Sequence, residues 1–262
     1  VPRKPKMKQI SNYDAAIIGA GASGLAAALT IKKYKPGASV LVLEKKERAA
    51  KKLAATGNGR CNLSNEACEN KDVVFGFFSE NGIMLRKDES GRFYPCSEDA
   101  GQLASLLTEE TVSAGVRIRL DSEVKKVEAC PEGGFLLLVE EKGAERTVYA
   151  KKLLIAAGGK SYPSMGTTGD GYVMARRLGH GITPPAPGLT AVCTEMKELR
   201  TLKGVRAKAK VCLKLEGKQL FSEEGEIQFR SDSVSGICVM NLSNHMKPHG
   251  SMSFDGYVIA AD

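Results

Sequence analysis

Metal-ligand spacing, a disulfide framework and a membrane span are all missing from this sequence. Its three histidines, His180, His245 and His249, stand in no ligand spacing with carboxylates or cysteines, so no metal is expected. Seven cysteines are scattered from position 61 to position 238, an odd number with no CxxC pair. Such a set is poor for a disulfide framework or a zinc site and fits a reducing cytoplasm. Ala15–Ile31 is a charge-free run of 17 residues behind a basic start, which imitates a signal peptide. Asp14 and three glycines break the imitation, and the run is short for a membrane span. No recognised nucleic-acid motif accompanies the net charge of +8.

What is present is a globular composition: 262 residues, 42% hydrophobic and 26% charged, enough for a sizeable core in one or two domains. Residues 1–11, with Arg3, Lys4, Lys6 and Lys8, read as a flexible basic tail. Arg206, Lys208, Lys210 and Lys214 alternate with Val205, Ala207, Ala209, Val211 and Leu213. Period-two alternation describes the wet face of a half-buried strand. Neither nucleic acid nor membrane is therefore an expected partner.

One stretch carries chemistry. Ala15–Ile18 reads as a short strand, followed by Gly19, Ala20, Gly21, Ala22, Ser23 and Gly24, a GxGxxG turn. Leu25, Ala28 and Leu29 then fall at helical spacing, and Pro36-Gly37 stops the helix. Val40–Leu43 is an uninterrupted apolar strand of the kind buried on both faces in a parallel sheet. Glu44 closes it, 20 residues after Gly24. In dinucleotide binding Gly19 permits the tight turn, Gly21 lets a pyrophosphate approach the backbone, and Gly24 lets helix and strand pack closely. The helix N-terminus offers unpaired N–H groups, those of Ala22 and Ser23 among them, and Glu44 accepts hydrogen bonds from the ribose hydroxyls. A carboxylate there repels a 2′-phosphate, so FAD or NAD is favoured over NADP.

Downstream, the sequence predicts a helix capped by Ser97 and ended by Gly115, and a strand, a break and a strand over 116–130. A hairpin turning near Lys142-Gly143 follows, then a buried strand Leu153–Ala157 before Gly158-Gly159. A nucleotide unit, a helix, an antiparallel meander and a return to the parallel sheet is the order of two-dinucleotide-type FAD domains. The expected fold is α/β: a Rossmann-like FAD-binding domain over 12–190 and part of an inserted β-rich domain over 191–262. Within the latter, strands are expected at 205–214, 219–221, 226–230 and 251–260, and a helix over 235–246.

Five stretches, "IIGAGASGLAAA", "KKLAATGNGRCNLSN", "GRFYPCSEDA", "LIAAGGKSYPSMGTTGDGYVMARRLGH" and "PGLTAV", make the chain similar to a family of bacterial flavoproteins. That family includes aminoacetone oxidase and a bile-acid 3-dehydro-4,6-reductase. The resemblance implies FAD as cofactor and a small organic substrate, with electrons from transient NADH or NADPH or from the substrate itself. It implies cofactor contacts from Lys45, and from a loop running along the flavin: Thr56, Gly57, Asn58, Gly59, Arg60, Cys61 and Asn62. Val124 is expected at the adenine, and Ala156, Ala157 and Gly158 under the middle of the cofactor. The loop residues suit this on chemical grounds: Gly57 and Gly59 tolerate positive φ, the two asparagines donate and accept, and Arg60 brings fixed charge. Tyr162, Thr167, Thr168 and Asp170 either line the cofactor or substrate face or cap the helix near Gly171.

No second GxGxxG is present, so reducing equivalents are expected either from a transient nicotinamide visitor or directly from an oxidisable substrate. Cys61 and Cys68, separated by six residues, are poorly spaced for a redox pair. No catalytic triad is expected, because flavin enzymes leave the electron chemistry to the ring. The family's late glycine-rich return segment is not found in the sequence, so the chain reads as C-terminally truncated, with FAD retention and turnover expected to suffer. The competing reading is a nucleotide-binding module without turnover, acting as a redox sensor or scaffold.

Overall fold

The computed structural model describes residues 10–194, 197–247 and 257–261. The chain divides into two compact units between Ile182 and Thr183. The sequence reading puts the boundary after residue 190. The proline-rich segment before it belongs with the second unit, where the Thr190 amide donates to Ser243 Oγ at 2.9 Å.

The first unit runs β1 (Ile10–Ile18), α1 (Ala22–Tyr34), β2 (Val40–Leu43), β3 (Ser64–Asn65), α2 (Lys71–Glu80), β4 (Leu85–Lys87), β5 (Arg92–Pro95) and α3 (Ala100–Ser113). It continues with β6 (Arg117–Arg119), β7 (Ser122–Ala129), β8 (Phe135–Glu141), β9 (Ala144–Ile155) and α4 (Asp170–Arg177). Its main sheet has the order β6-β2-β1-β9-β8-β7. The β6, β2, β1 and β9 neighbours are parallel, whereas β9, β8 and β7 form an antiparallel meander. Strand β1 starts at Ile10, so residues 10 and 11 pair with Thr147 and Val148 instead of belonging to the tail.

Alternation explains the layering. Ile17, Val40 and Val42 point to one face, with Leu25 and Leu29 of α1 and Leu103 and Leu107 of α3. Ala16, Ile18, Leu41 and Leu43 point to the other, with Leu137, Val148 and Met174. Ile17, Leu25, Leu41 and Leu103 are all at most 1% exposed, and burying each such side chain contributes about 1.5–3 kcal/mol. Leu154, expected to be buried, is exposed, because alternate residues of β9 point away from both clusters. The β8–β9 turn uses Lys142 (φ 50°) and Gly143 (φ 77°), the two left-handed positions of a tight hairpin.

Two expected caps move. Asp99, not Ser97, caps α3: its Oδ1 accepts from the amides of Gly101 (2.7 Å) and Gln102 (2.9 Å). Gly169 at φ 88° precedes α4, so neither Thr168 nor Asp170 caps it through a side chain.

The second unit contains β10 (Val192–Cys193), β11 (Arg206–Leu215), β12 (Lys218–Phe229), β13 (Ser233–Ser235), α5 (Ile237–Ser243) and β14 (Tyr257–Ala261). They form an antiparallel sheet in the order β10-β13-β12-β11-β14, with α5 packed through Val239 and Leu242 against Val211, Leu213 and Ile227. The two strands expected at 219–221 and 226–230 are one, because Glu223 and Glu224 stay in register with Val211 and Lys210. Helix α5 is shorter than expected: Gly236 at φ 118° and ψ 157° lies outside helical space. Residues 251–256 of the last expected strand, and His249, lie outside the described residues. The basic row on β11 is matched in part: Lys208 stands opposite Glu226 and Lys210 opposite Glu224, Arg206 pairs with Glu226 at 3.2 Å, and Lys214 faces Gln219. Among the described residues no helix is long and apolar enough to cross a membrane.

Candidate functional site

The carboxyl ends of β1, β2 and β9 converge on a cavity of about 370 Å³. Three backbone bonds assemble it. Gly19 N–H donates to Leu43 O (2.8 Å), Ala156 N–H to Ile18 O (2.8 Å), and Ala50 N–H to Ala20 O (2.7 Å). The glycine turn is therefore held against the ends of β2 and β9 and against the chain that follows β2. Gly19 is at φ 104°, and a Cβ there would meet Ala156 O at 2.5 Å. A Cβ on Gly24 would overlap the Gly19 carbonyl oxygen, so this glycine serves helix-to-turn packing. Gly21 behaves differently: nothing lies within 4 Å of the position its Cβ would occupy. The space over Gly21 and the first turn of α1 is open, as a diphosphate cradle requires.

Glu44 lines the same cavity. Its Oε2 accepts from Ala20 N–H and its Oε1 from Lys46 N–H, both at 2.9 Å, so the carboxylate is fixed beside the glycine turn. Each oxygen keeps a lone pair for a further donor. Strand β7 reaches the site because Glu44 N–H donates to Arg119 O and Ser122 N–H to Glu44 O. That brings Ser122, Glu123 and Val124 to the wall.

Of the residues expected at a cofactor, Gly19, Gly21, Ala22, Ser23, Glu44, Lys45, Thr56, Val124, Ala156, Ala157 and Gly158 share this one cavity. Gly24 stands behind the turn. Gly57, Asn58, Gly59, Arg60, Cys61 and Asn62 do not line it. Their backbone is nonetheless unusual, with Gly57, Asn58, Gly59 and Cys61 all at positive φ. The charge of Arg60 is turned elsewhere: Nη2 lies 2.8 Å from Glu98 Oε1, and the guanidinium lies over the Tyr94 ring at 4.2 Å. Arg86 reaches the same carboxylate oxygen at 3.1 Å. Arg60 Nε is buried without a hydrogen-bond partner. Cys61 is buried, which pushes its thiol up, partly offset by a hydrogen bond with Thr56. A protonated, buried thiol is a poor redox nucleophile, and Cys61 and Cys68 are both free.

Thr167 and Asp170 line the cavity, whereas Tyr162 and Thr168 do not. Burial raises the Asp170 carboxyl, but hydrogen bonds from Lys45 and Thr168 outweigh it and hold the group below its usual value. Sequence reasoning missed Lys51, Lys52, Ser122, Glu123, Met165 and Met174, which also line the wall. Ser122 and Glu123 were legible in principle, as the start of the strand that carries Val124. No group of three or more His, Cys, Asp or Glu residues that could hold a metal occurs among the described residues.

The fold and the glycine turn are those of a Rossmann-type domain. The chain belongs to the HI0933-like protein Rossmann domain family, whose model matches residues 13–77 and 66–246. It is 34% identical over 250 residues to a 3-dehydro-bile acid delta(4,6)-reductase of Clostridium scindens, covering 88% of this chain and 59% of that protein. It is 28% identical over 261 residues to the ribosomal RNA dihydrouridine synthase of Escherichia coli, covering 91% of this chain and 62% of that protein. The chain thus spans about three-fifths of the length of these curated relatives. Among solved structures, Thermovibrio ammonificans THI4 shares the fold with a TM-score of 0.51 at 17% identity, over 87% of this chain and 79% of that one.

Proposed function

We propose that this protein is an FAD-dependent oxidoreductase that reduces a carbon–carbon double bond conjugated to a carbonyl. The observation that carries the FAD reading is the single cavity joining open Gly21, the first turn of α1 and the anchored Glu44 carboxylate. Ala22 and Ser23 would meet the diphosphate, Glu44 the adenosine ribose, Val124 the adenine, and Ala156 to Gly158 the middle of the cofactor. When bound, the flavin supplies the hydride chemistry. The chain's own part is to hold the dinucleotide and keep its adenosine half out of water.

The substrate class comes from the relatives' names. A delta(4,6)-reductase of a 3-dehydro bile acid and a dihydrouridine synthase both describe adding hydrogen to a double bond in conjugation with a carbonyl. A nicotinamide donor would supply the two electrons, and the proton would come from solvent or a side chain. A small organic substrate is favoured, because the relative of higher identity is named for one. The Escherichia coli relative, named for ribosomal RNA, runs against the sequence expectation that nucleic acid is no partner.

Titration of FAD into the purified 262-residue chain, followed by flavin fluorescence, tests the cofactor reading. Saturable binding that ADP competes away and FMN does not is the expected result. Binding competed by FMN alone, or no binding at millimolar FAD, overturns it.

A further inference from the structure

Lys45 follows Glu44 into the cavity wall, and its ammonium is already engaged. Nζ lies 2.7 Å from Thr168 Oγ1 and 2.5 Å from Asp170 Oδ2. Thr168 Oγ1 in turn donates to Asp170 Oδ1 at 2.7 Å, closing a three-membered polar ring. The side chains of Lys45 and Asp170 are only 22% and 36% exposed, so water screens the pair less than a surface ion pair. The partners are 125 residues apart in sequence, and they join the end of β2 to the start of α4.

The segment between β9 and α4 has little structure of its own. One short 3-10 turn spans Pro163–Met165, and Tyr162, Gly166 and Gly169 sit at φ 55°, 100° and 88°. It is tied down from outside at a second point, where Lys52 Nζ donates to Ser161 O at 2.9 Å. Thr167 Oγ1 donates to the carbonyl oxygen of Ser161 and lies 3.1 Å from that of Tyr162, which gathers the segment around that tether. Met165, Gly166, Thr167 and Asp170 from this stretch line the cavity, together with Glu44 and Val124.

We propose that Lys45, Thr168 and Asp170 form a latch that sets this wall of the cavity against the adenosine half of the dinucleotide. Lys45 is then a positioning residue, and its charge is spent on Asp170, not on a phosphate. This rests on the dinucleotide reading above. The opposite arrangement, in which Lys45 leaves Asp170 to meet the diphosphate, makes contrary predictions for the same variants.

The experiment is titration of FAD and of ADP into wild type, Lys45→Met, Asp170→Asn, Lys45→Arg and the charge swap Lys45→Asp/Asp170→Lys. A latch predicts that Lys45→Met and Asp170→Asn each weaken both ligands by the same factor, about three- to fivefold. Lys45→Arg should bind like wild type, and the swap should recover part of the loss. Thr168→Val, which keeps the shape of the side chain, should weaken both ligands by a smaller factor, and it serves if the charge variants fail to fold. Tighter or unchanged binding by Asp170→Asn, or a swap no better than Lys45→Met, overturns the latch while leaving FAD binding intact. Wild type that binds neither FAD nor ADP overturns the dinucleotide reading and the latch with it.

Discussion

Two glycines of one motif have opposite tasks. A Cβ on Gly24 would run into the Gly19 carbonyl, while one on Gly21 would enter open space. Gly24→Ala should therefore cost about 1–3 kcal/mol of stability, because backbone has to shift. Gly21→Ala should cost less than about 1 kcal/mol, the difference between glycine and alanine at a helix N-cap. Urea denaturation of both variants measures this, and equal losses would refute the division of labour. The spacing of these glycines and of Glu44 was legible because each needs a particular side chain, or none, at a fixed place in the chain. Arg60 shows the limit of such reading. Its sequence gives a charge and a flexible stem, and both an anionic ligand and a distant carboxylate satisfy that charge. The structure selects Glu98, 38 residues away. Lys51 and Lys52 went unnoticed for the same reason, since lysines in a polar stretch look like solvated surface.

Helices and strands with an unbroken apolar pattern were the easiest to read. Val40–Leu43 was visible because all four side chains are buried, and α1 because Leu25, Ala28 and Leu29 share a face. Boundaries were harder where several residues can do one job. Ser97, Glu98 and Asp99 stand in a row before α3, and the backbone decides among them. Glu98 turns at φ 49°, which leaves Asp99 to meet the free amides of the first turn. Asp99→Ala should lower stability by about 1 kcal/mol, while Ser97→Ala leaves it nearly unchanged. The readout is the urea midpoint at constant m-value. A larger effect from Ser97→Ala would restore the sequence assignment. Strand β12 carries Glu223, Glu224 and Gly225 in its middle, between the two strands the sequence predicts. Their cross-strand partners on β11 were not visible from β12 alone.

For the molecule as a whole, acid is the informative perturbation. A hydrogen bond from Lys151 leads the contacts that hold the Asp14 carboxyl well below its ordinary value, with the Ser39 amide and hydroxyl adding to it. Asp170 is lowered as well. A carboxyl depressed in the folded state stabilises the fold above its unfolded value, and that contribution is lost as pH falls through the folded value. Tm is therefore expected to hold level from pH 7 to about 5 and to drop below about pH 4, near and under the ordinary carboxylate range. Asp14→Asn should shrink that drop, and a decline that begins above pH 6 would assign the acid sensitivity to other groups. The division into a parallel core and an antiparallel meander also bears on how the protein is made. Ile10 pairs with Thr147, 137 residues later, so among the described strands the second neighbour of the central strand is the last of its sheet to be synthesised. At the usual pace of translation the nascent chain carries that apolar edge uncovered for roughly ten seconds or more. That interval, before β9 emerges, is when the unfinished sheet is most open to aggregation.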